Sequence, residues 1–264
     1  MSGEDDPGTE VQDFKDVLST PVDGELPLVV GGHAVHLWAL AFEDRLGDAL
    51  TRWVPLTSKD LDLYGTQALL DGLKKQFGGN YRLSGPRGPV IGQLAVKLGG
   101  IERKIDVLRD VVGLSIKELA AEAIELEFEA DGEWLTCRVL PLLLLFQAKV
   151  ANLAKLDQTG RNDRKHVSIL LLVVREYLAE LIRAAESGEL EPRGATVPLE
   201  QALKIVNSPD GVKCFSVHGI VFDDIWPRDG LAAATKAPLQ NFQKHRLPPF
   251  GCGGEEDAKN KGNS

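Results

Sequence analysis

The hydrophobic periodicity changes once along the chain, and this change constrains the fold more than any other feature. Up to residue 139, several short segments alternate apolar and polar residues with a period of two, which indicates β-strands. After Pro141 the period becomes that of α-helices over residues 142–157 and 163–187. We therefore predict an α/β fold in which a mixed β-sheet flanked by helices forms a domain over residues 21–140. A helical C-terminal lobe is predicted over residues 141–250.

Glycine pairs mark the main turns of the predicted sheet. A short apolar strand that begins at Leu26 ends at Gly31-Gly32, and a helix is predicted to follow over residues 34–50. Gly99-Gly100 is a strong signal for a two-residue hairpin. The other predicted elements are a strand over 59–64, a helix over 66–77, strands over 81–83, 90–98 and 101–108, and a hairpin over 124–139.

The two ends of the chain and the region after residue 189 carry weaker patterns. Residues 1–20 and 251–264 have the polar composition of a flexible N-terminus and a disordered tail. From residue 189 onward, prolines and short apolar clusters alternate with polar linkers. We therefore predict no particular arrangement for that region.

Composition limits the class of protein. The 264 residues carry a net charge of -9, which disfavours a protein that coats nucleic acid indiscriminately, because such binding needs many cations. No apolar run approaches the ~20 residues of a membrane-spanning helix, and the acidic N-terminus does not resemble a secretory signal. The cysteines at positions 137, 214 and 252 lie far apart and form no Cys-x-x-Cys pair. We therefore expect a cytoplasmic protein with no membrane partner and no structural zinc site.

Asp60-Leu61-Asp62 places two carboxylates on one side of a predicted strand. Their mutual repulsion is most readily relieved by a hard divalent cation, for which Mg²⁺ is the natural candidate. Asp106, in the strand predicted over 101–108, is the candidate third carboxylate. An isolated Asp-x-Asp pair is more often a solvated strand face, so the prediction depends on the order of the surrounding elements.

Gly31-Gly32 lies between a predicted strand and a predicted helix, where the backbone can approach a phosphate closely and present helix N-terminal amides to it. No Gly-Lys-Ser/Thr follows this pair, which excludes a P-loop, and no Gly-x-Gly-x-x-Gly supports a dinucleotide-binding fold. Between Lys149 and His166 the chain carries five Lys or Arg against two acids. This local excess of positive charge suits an anionic ligand, although a solvated helix turn would have the same composition.

The remaining candidate metal ligands are too few for a site. His33 and His36 are three residues apart at the start of a predicted helix, but no third nitrogen or sulfur ligand accompanies them. We assign a packing or phosphate-proximal role to His33 and no functional role to His36. Cys214 and His218 are two isolated residues, for which a structural role is the more common one.

The order of these motifs resembles a known family. Its members carry Gly-Gly-His-Ala-Val followed by Thr/Ser-x-Asp-hydrophobic-Asp, and this chain has Gly31-Gly32-His33-Ala34-Val35 and then Ser58-Lys59-Asp60-Leu61-Asp62. That signature is typical of minimal nucleotidyltransferases, the broad group related to AbiEii-like and MenT-like toxins. Ile105-Asp106-Val107-Leu108 resembles their third-carboxylate strand. Residues 161–166 resemble the charged turn that opens the next helix, and the whole resemblance covers roughly residues 28–173.

The resemblance implies Mg²⁺-dependent transfer of a nucleotide from an NTP to an acceptor such as tRNA or a small molecule. Asp60 and Asp62 are then metal ligands, and Asp106 is a ligand or the general base. The implied nucleotide-binding residues are Gly31, Gly32 and Ser58, which would contact phosphate, and Lys149, which would pair with the triphosphate.

Two other functions stay open at this point. In the first, the chain binds a nucleotide or a partner protein without catalysing transfer, within a toxin–antitoxin or defence system that supplies a cognate antitoxin or regulator. In the second, it is a structural interaction protein whose apolar helices from Leu142 onward form a docking surface.

Overall fold

The computed structural model describes residues 8–119 and 123–247. The predicted disordered tail, residues 251–264, lies outside the described residues, as do the first seven residues of the predicted flexible N-terminus. The chain divides into two compact units. The described residues of the first are 8–119, 123–177 and 201–226, and those of the second are 178–200 and 227–247. The predicted division into domains at residue 140 stays a prediction.

A seven-stranded mixed sheet forms the centre of the first unit, with the strand order β3-β4-β5-β2-β1-β7-β6. β2 runs parallel to β5 and β1 parallel to β7, and the remaining neighbours are antiparallel. The predicted mixed sheet with flanking helices is confirmed. The strands are β1 (Leu28–Val30), β2 (Leu61–Tyr64), β3 (Asn80–Leu83), β4 (Val90–Leu98), β5 (Ile101–Leu108), β6 (Ile124–Ala130) and β7 (Glu133–Val139).

Helices make up most of the rest of the described chain, and the predicted helical C-terminal region is confirmed. None of the helices in residues 8–119 and 123–247 has the length and apolar character needed to cross a membrane. The helices are α1 (Lys15–Ser19), α2 (Gly31–Ala41), α3 (Glu43–Leu46), α4 (Asp48–Thr51), α5 (Gln67–Phe77), α6 (Ile116–Leu119), α7 (Leu142–Lys155), α8 (Asp163–Ser187), α9 (Pro192–Val206), α10 (Pro209–His218), α11 (Arg228–Ala232) and α12 (Ala237–His245), with 3₁₀ turns at Val11–Phe14 and Phe222–Ile225.

The two parallel strands β2 and β5 each have one apolar and one acidic side. Leu61 and Leu63 of β2 are fully buried, as are Ile105 and Val107 of β5. Side chains alternate along a strand, so the acids at positions 62 and 106 lie on the opposite face of the sheet. Burial of the four apolar side chains fixes which face the acids occupy.

The N-terminal segment differs from its predicted flexibility. Val11–Phe14 and Lys15–Ser19 are helical, and Phe14 and Leu18 are fully buried. Thr9 forms a bridge with Ser58, in which the Thr9 amide donates to the Ser58 carbonyl at 2.7 Å. The helical spacing of Val11, Phe14 and Leu18 is present in the sequence, but it is too short to stand out from the polar residues around it.

The helix predicted over residues 34–50 is three separate helices. The first, α2, already begins at Gly31, directly after β1, so the glycine pair forms the first turn of the helix. The chain breaks at Phe42 and again at Gly47, whose φ of 47° is incompatible with a continuous right-handed helix.

The region after residue 189, for which the sequence predicts no particular structure, is also helical. α10 carries standard terminal signals: the Ser208 hydroxyl accepts from the Gly211 amide, Pro209 occupies the first turn, and Gly219 adopts the left-handed conformation after the last turn. Within α9, Pro198 lies inside the helix. Because proline is unfavourable in helix interiors, its presence in the sequence argues against a helix there.

Candidate functional site

A pocket of about 420 Å³ lies in the first unit, at the edge of the sheet where β1 ends and β2 and β5 carry their acids. Its walls come from the β1–α2 turn, from β2 and β5, from α7 and from the start of α8. The structure brings all seven sequence-predicted site residues to this pocket: Gly31, Gly32, Ser58, Asp60, Asp62, Asp106 and Lys149.

Three of the carboxylates that line the pocket, those of Asp60, Asp62 and Asp106, are half-buried and close enough for their charges to interact. Asp62 pairs with Asp106 in the register of the parallel strands, and Asp60 lies one residue before β2. Burial, and then the neighbouring charge of Asp60, raise the pKa of Asp62 to about 7. Burial also raises the pKa of Asp60 and the pKa of Asp106 above their usual range. Both the lost hydration and the like charge would be relieved by a bound cation.

Asp106 is held from the neighbouring strand. Gln93 lies opposite it on β4, and the Gln93 side-chain amide donates to Asp106 Oδ1 at 2.8 Å. Hard carboxylate oxygens are the ligand type that Mg²⁺ prefers. Across residues 8–119 and 123–247, however, no three His, Cys, Asp or Glu side chains are arranged so that they could hold a metal ion. Mg²⁺ binding by these three acids is therefore a proposal.

The Gly31-Gly32 turn packs directly against Asp62 and Ser58. Gly31 has a φ of 71°, and a Cβ atom at this position would lie 1.9 Å from Asp62 Oδ2. A Cβ atom on Gly32 would lie 2.4 Å from Ser58 Oγ and 3.2 Å from His166 Cε1. A side chain at either position would therefore have to displace a neighbouring side chain, and at Gly31 the left-handed backbone favours glycine as well.

A Gly31→Ala substitution tests this close approach, with Gly219→Ala as its matched control. Gly219 also has a positive φ, 65°, but no atom of the part of the chain that the structure describes lies within 4 Å of its Cβ position. Gly219→Ala should lower the free energy of unfolding by about 1 kcal/mol, the cost of left-handed backbone alone. Gly31→Ala adds a collision and should cost about 3 kcal/mol in urea unfolding. Equal losses for the two variants would contradict the proposed contact with Asp62.

Two cations of the pocket are held by a buried acid. Lys149 is only 5% exposed, and its Nζ lies 3.4 Å from Asp163 Oδ1. Arg161 Nε donates to the other oxygen, Oδ2, at 2.6 Å, and Asp163 itself is 2% exposed. The charge of Lys149 opposes the rise in the pKa of Asp60 and Asp62. Lys149 and Arg161 therefore form a positively charged side of the pocket, here called the positive wall, which lies close enough to Asp60 and Asp62 to lower their pKa values.

Several lining residues are absent from the set predicted by sequence. Arg161, Asp163 and His166 belong to the charged segment that the family resemblance identifies, but the resemblance implies no individual role for them. Lys59 also lines the pocket, and its Nζ donates to the Gly160 carbonyl at 3.0 Å, which joins the segment before β2 to the turn before α8. The excess of positive charge between residues 149 and 166 is the sequence signal that points to this wall.

Three buried histidines form a row that ends at the pocket. The ring of His36 packs edge-on against His33 on one side and His166 on the other, with 5.6 Å between ring centroids in both contacts. Burial lowers the pKa of His33 to about 4 and that of His36 to about 2, and lowers the pKa of His166 well below its usual range. All three rings are therefore neutral at physiological pH.

His33 packs in the core, away from the pocket lining. Its ring lies against Phe14, with 5.2 Å between ring centroids. The Thr9 hydroxyl donates to the Ser58 carbonyl at 2.8 Å, so it accepts from His33 Nε2 at 3.1 Å. This contact fixes the ring tautomer of His33 and joins the N-terminal segment to the segment before β2.

Crowded carboxylates, a glycine turn and two cations thus share one pocket although they come from segments distant in the chain. Oxygen donors beside fixed positive charges are the chemistry required to hold a phosphate-bearing ligand together with a divalent cation. Comparison of the chain with known protein families, with curated proteins and with solved structures finds no match in any of the three.

Proposed function

We propose that the protein is a Mg²⁺-dependent nucleotidyltransferase that transfers a nucleotide from an NTP to an acceptor. One observation supports this proposal above the others. Asp60, Asp62 and Asp106 line the same pocket as the Gly31-Gly32 turn and Lys149. The motif resemblance and the geometry of the pocket thus involve the same residues.

Each group of residues has a distinct part in this reaction. Asp60 and Asp62 would hold Mg²⁺, with Asp106 as a third ligand or as the general base. The described side chains do not form a ready three-ligand site, so they would have to move together around the ion, which would supply charge neutralisation at the phosphates. Lys149 adds positive charge, and the glycine turn allows a phosphate to approach the start of α2. An acceptor oxygen attacks the α-phosphorus, the bond to the β-phosphate breaks, and pyrophosphate leaves. The acceptor's proton passes to a carboxylate of the pocket, for which Asp106 is the candidate general base.

A labelling experiment tests the proposal. The full chain is incubated with labelled NTPs, Mg²⁺ and candidate acceptors, namely total RNA, tRNA, aminoglycosides and the protein itself. Label should appear on one acceptor with the wild type and not with the double variant Asp60→Ala, Asp62→Ala. Absence of transfer by the wild type, or equal transfer by the double variant, would refute the assignment.

The chain offers a matched control for this double variant. Glu125 and Glu127 form the same acid-x-acid pattern on β6, where both are exposed and outside the pocket lining. Glu125→Ala with Glu127→Ala removes two negative charges from a strand and should leave transfer unchanged. If the control also abolishes transfer, the loss reflects net charge or stability rather than the pocket.

The second candidate is a protein that binds a nucleotide without transferring it. The observation that favours it is the ion-pair cluster of Lys149, Asp163 and Arg161, which provides fixed positive charge for an anion without requiring chemistry at the acids. Calorimetry distinguishes the two: NTP binding without turnover over all acceptors tested would favour this second function. A cognate antitoxin or regulator would then be the natural partner.

We also propose a cytoplasmic location. Cys137 and Cys214 are buried and free, which is typical of proteins that stay in a reducing compartment. Burial raises the pKa of Cys137 to about 12, so its thiol is unreactive.

A further inference from the structure

His166 is a buried polar residue whose partners are missing from the described protein. Neither Nδ1 nor Nε2 has a hydrogen-bond partner, although the residue is only 5% exposed. Buried polar groups in folded proteins are nearly always paired, so an unpaired ring of this kind requires an explanation. His166 lies in the first turn of α8 and lines the pocket. A partner can therefore reach it from the pocket side.

The polar edge of the ring faces the glycine turn. Of the His166 atoms, Cε1 lies nearest the Cβ position of Gly32, at 3.2 Å, and this carbon lies between the two ring nitrogens. A half-turn of the ring about the Cβ–Cγ bond exchanges Cε1 with Nε2. The ring can thus present a nitrogen beside Gly32, where Ser58 Oγ also lies, 2.4 Å from the same Cβ position.

The surroundings keep this ring neutral and attract anions. Burial, and then the positive charge of Lys149, lower the pKa of His166. A neutral imidazole carries one N–H donor and one acceptor nitrogen. Lys149 and Arg161 line the same pocket, so an anion that enters is attracted by positive charge and meets an unused N–H.

We propose that His166 is a ligand-binding residue of this pocket, which donates a ring N–H to a phosphate oxygen of the triphosphate lying at the Gly31-Gly32 turn. The identity of the ligand rests on the proposed function, whereas the anion-binding role of the ring does not.

His36 provides an internal comparison. Both of its ring nitrogens also lack a hydrogen-bond partner among the described residues, and the side chain is fully buried. It packs between His33 and His166 and is not among the lining residues of the pocket. Substitution of His36 therefore perturbs the same histidine row without removing a group that a pocket ligand can reach.

The test is calorimetric titration of the full chain with inorganic tripolyphosphate and Mg²⁺. His166→Phe keeps an aromatic ring and removes the donor, so the Kd should rise about tenfold, the effect of one lost hydrogen bond to a charged group. His166→Gln and His166→Asn each return an amide N–H, and one of the two should restore part of the affinity. His36→Phe should bind as the wild type does.

A spectroscopic measurement separates contact from packing. In protein labelled with ¹⁵N-histidine, saturating tripolyphosphate should shift a ring nitrogen of His166 by more than those of His36. Wild-type affinity in His166→Phe, or an equal loss of affinity in His36→Phe, would overturn the proposal.

The outcomes also distinguish this proposal from the proposed reaction. Nucleotide transfer by the wild type together with an unchanged Kd in His166→Phe would refute only the role of His166. Dependence of the Kd on His166 without transfer to any acceptor would refute only the transferase. Absence of tripolyphosphate binding by the wild type would contradict both.

Discussion

Replacing Asp62 by asparagine should abolish nucleotide transfer and, at the same time, stabilise the fold. Asparagine keeps the shape of the side chain but removes the negative charge that the carboxylate would contribute to binding Mg²⁺. We therefore expect transfer to fall by at least about 100-fold, the usual effect of removing one electrostatic group from a catalytic site. The opposite change in stability follows from the protonation of the carboxyl group.

Burial raises the pKa of Asp62 from 3.8 to about 7 in the folded protein. Between these two values the folded state binds more protons than the unfolded state, so stability falls as the pH rises through this range. The full shift would correspond to about 4 kcal/mol at pH 8. Because the residue is only half-buried and part of the shift comes from the charge of Asp60, we expect Asp62→Asn to gain about 2 kcal/mol at pH 8.

Urea unfolding with EDTA at pH 8 and at pH 4 measures this gain. At pH 4 the carboxyl group of folded wild type is already protonated, so the difference between variant and wild type should largely disappear. Glu127→Gln, which neutralises an exposed acid on β6, should change stability little at either pH. A loss of stability in Asp62→Asn at pH 8 would show that the ionised carboxylate is held by favourable contacts.

The acidic site could be predicted because strand alternation is a local property. Once Leu61 and Ile105 are assigned to the core, Asp62 and Asp106 must lie on the other face of their strands. Their alignment as direct neighbours is a different matter, since it depends on parallel pairing between residues 62 and 106, which are 44 positions apart in the chain. Residue pattern alone does not determine that register, and the order of motifs was the only sequence signal for it.

The positive wall of the pocket was harder to predict in detail. Asp163 has the sequence context of an ordinary acid at a helix start, yet it is buried between Lys149 and Arg161. Which of several charged residues in a turn becomes buried depends on how α7 and α8 pack, and this information is absent from local sequence. The burial of His166 was equally difficult to predict, because the segment in which it follows an arginine and a lysine has the composition of a solvated turn.

The histidine row should make the protein acid-sensitive. His33, His36 and His166 are neutral in the folded state because burial lowers each pKa, to about 4 for His33 and about 2 for His36. In the unfolded chain these rings take up protons below their usual pKa of 6.5. The unfolded state therefore binds more protons as the pH falls, and the stability present above pH 6.5 is lost on acidification. Each histidine should cost about 2 kcal/mol between pH 6.5 and pH 5.

The raised pKa values of Asp60, Asp62 and Asp106 have the opposite effect, since they increase the free energy of unfolding as the pH falls over part of the same range. A comparison of variants separates the histidine contribution from that of the acids. In His36→Phe, one fewer proton is taken up on unfolding, so the free energy of unfolding should fall less steeply below pH 6.5, by about 1.4 kcal/mol per pH unit. His245→Gln is the control, because this side chain is exposed at the end of α12 and should leave the slope unchanged. If His36→Phe and wild type show equal slopes in urea unfolding from pH 7 to pH 5, His36 is not held neutral, and the desolvated row that ends at the pocket does not exist in solution.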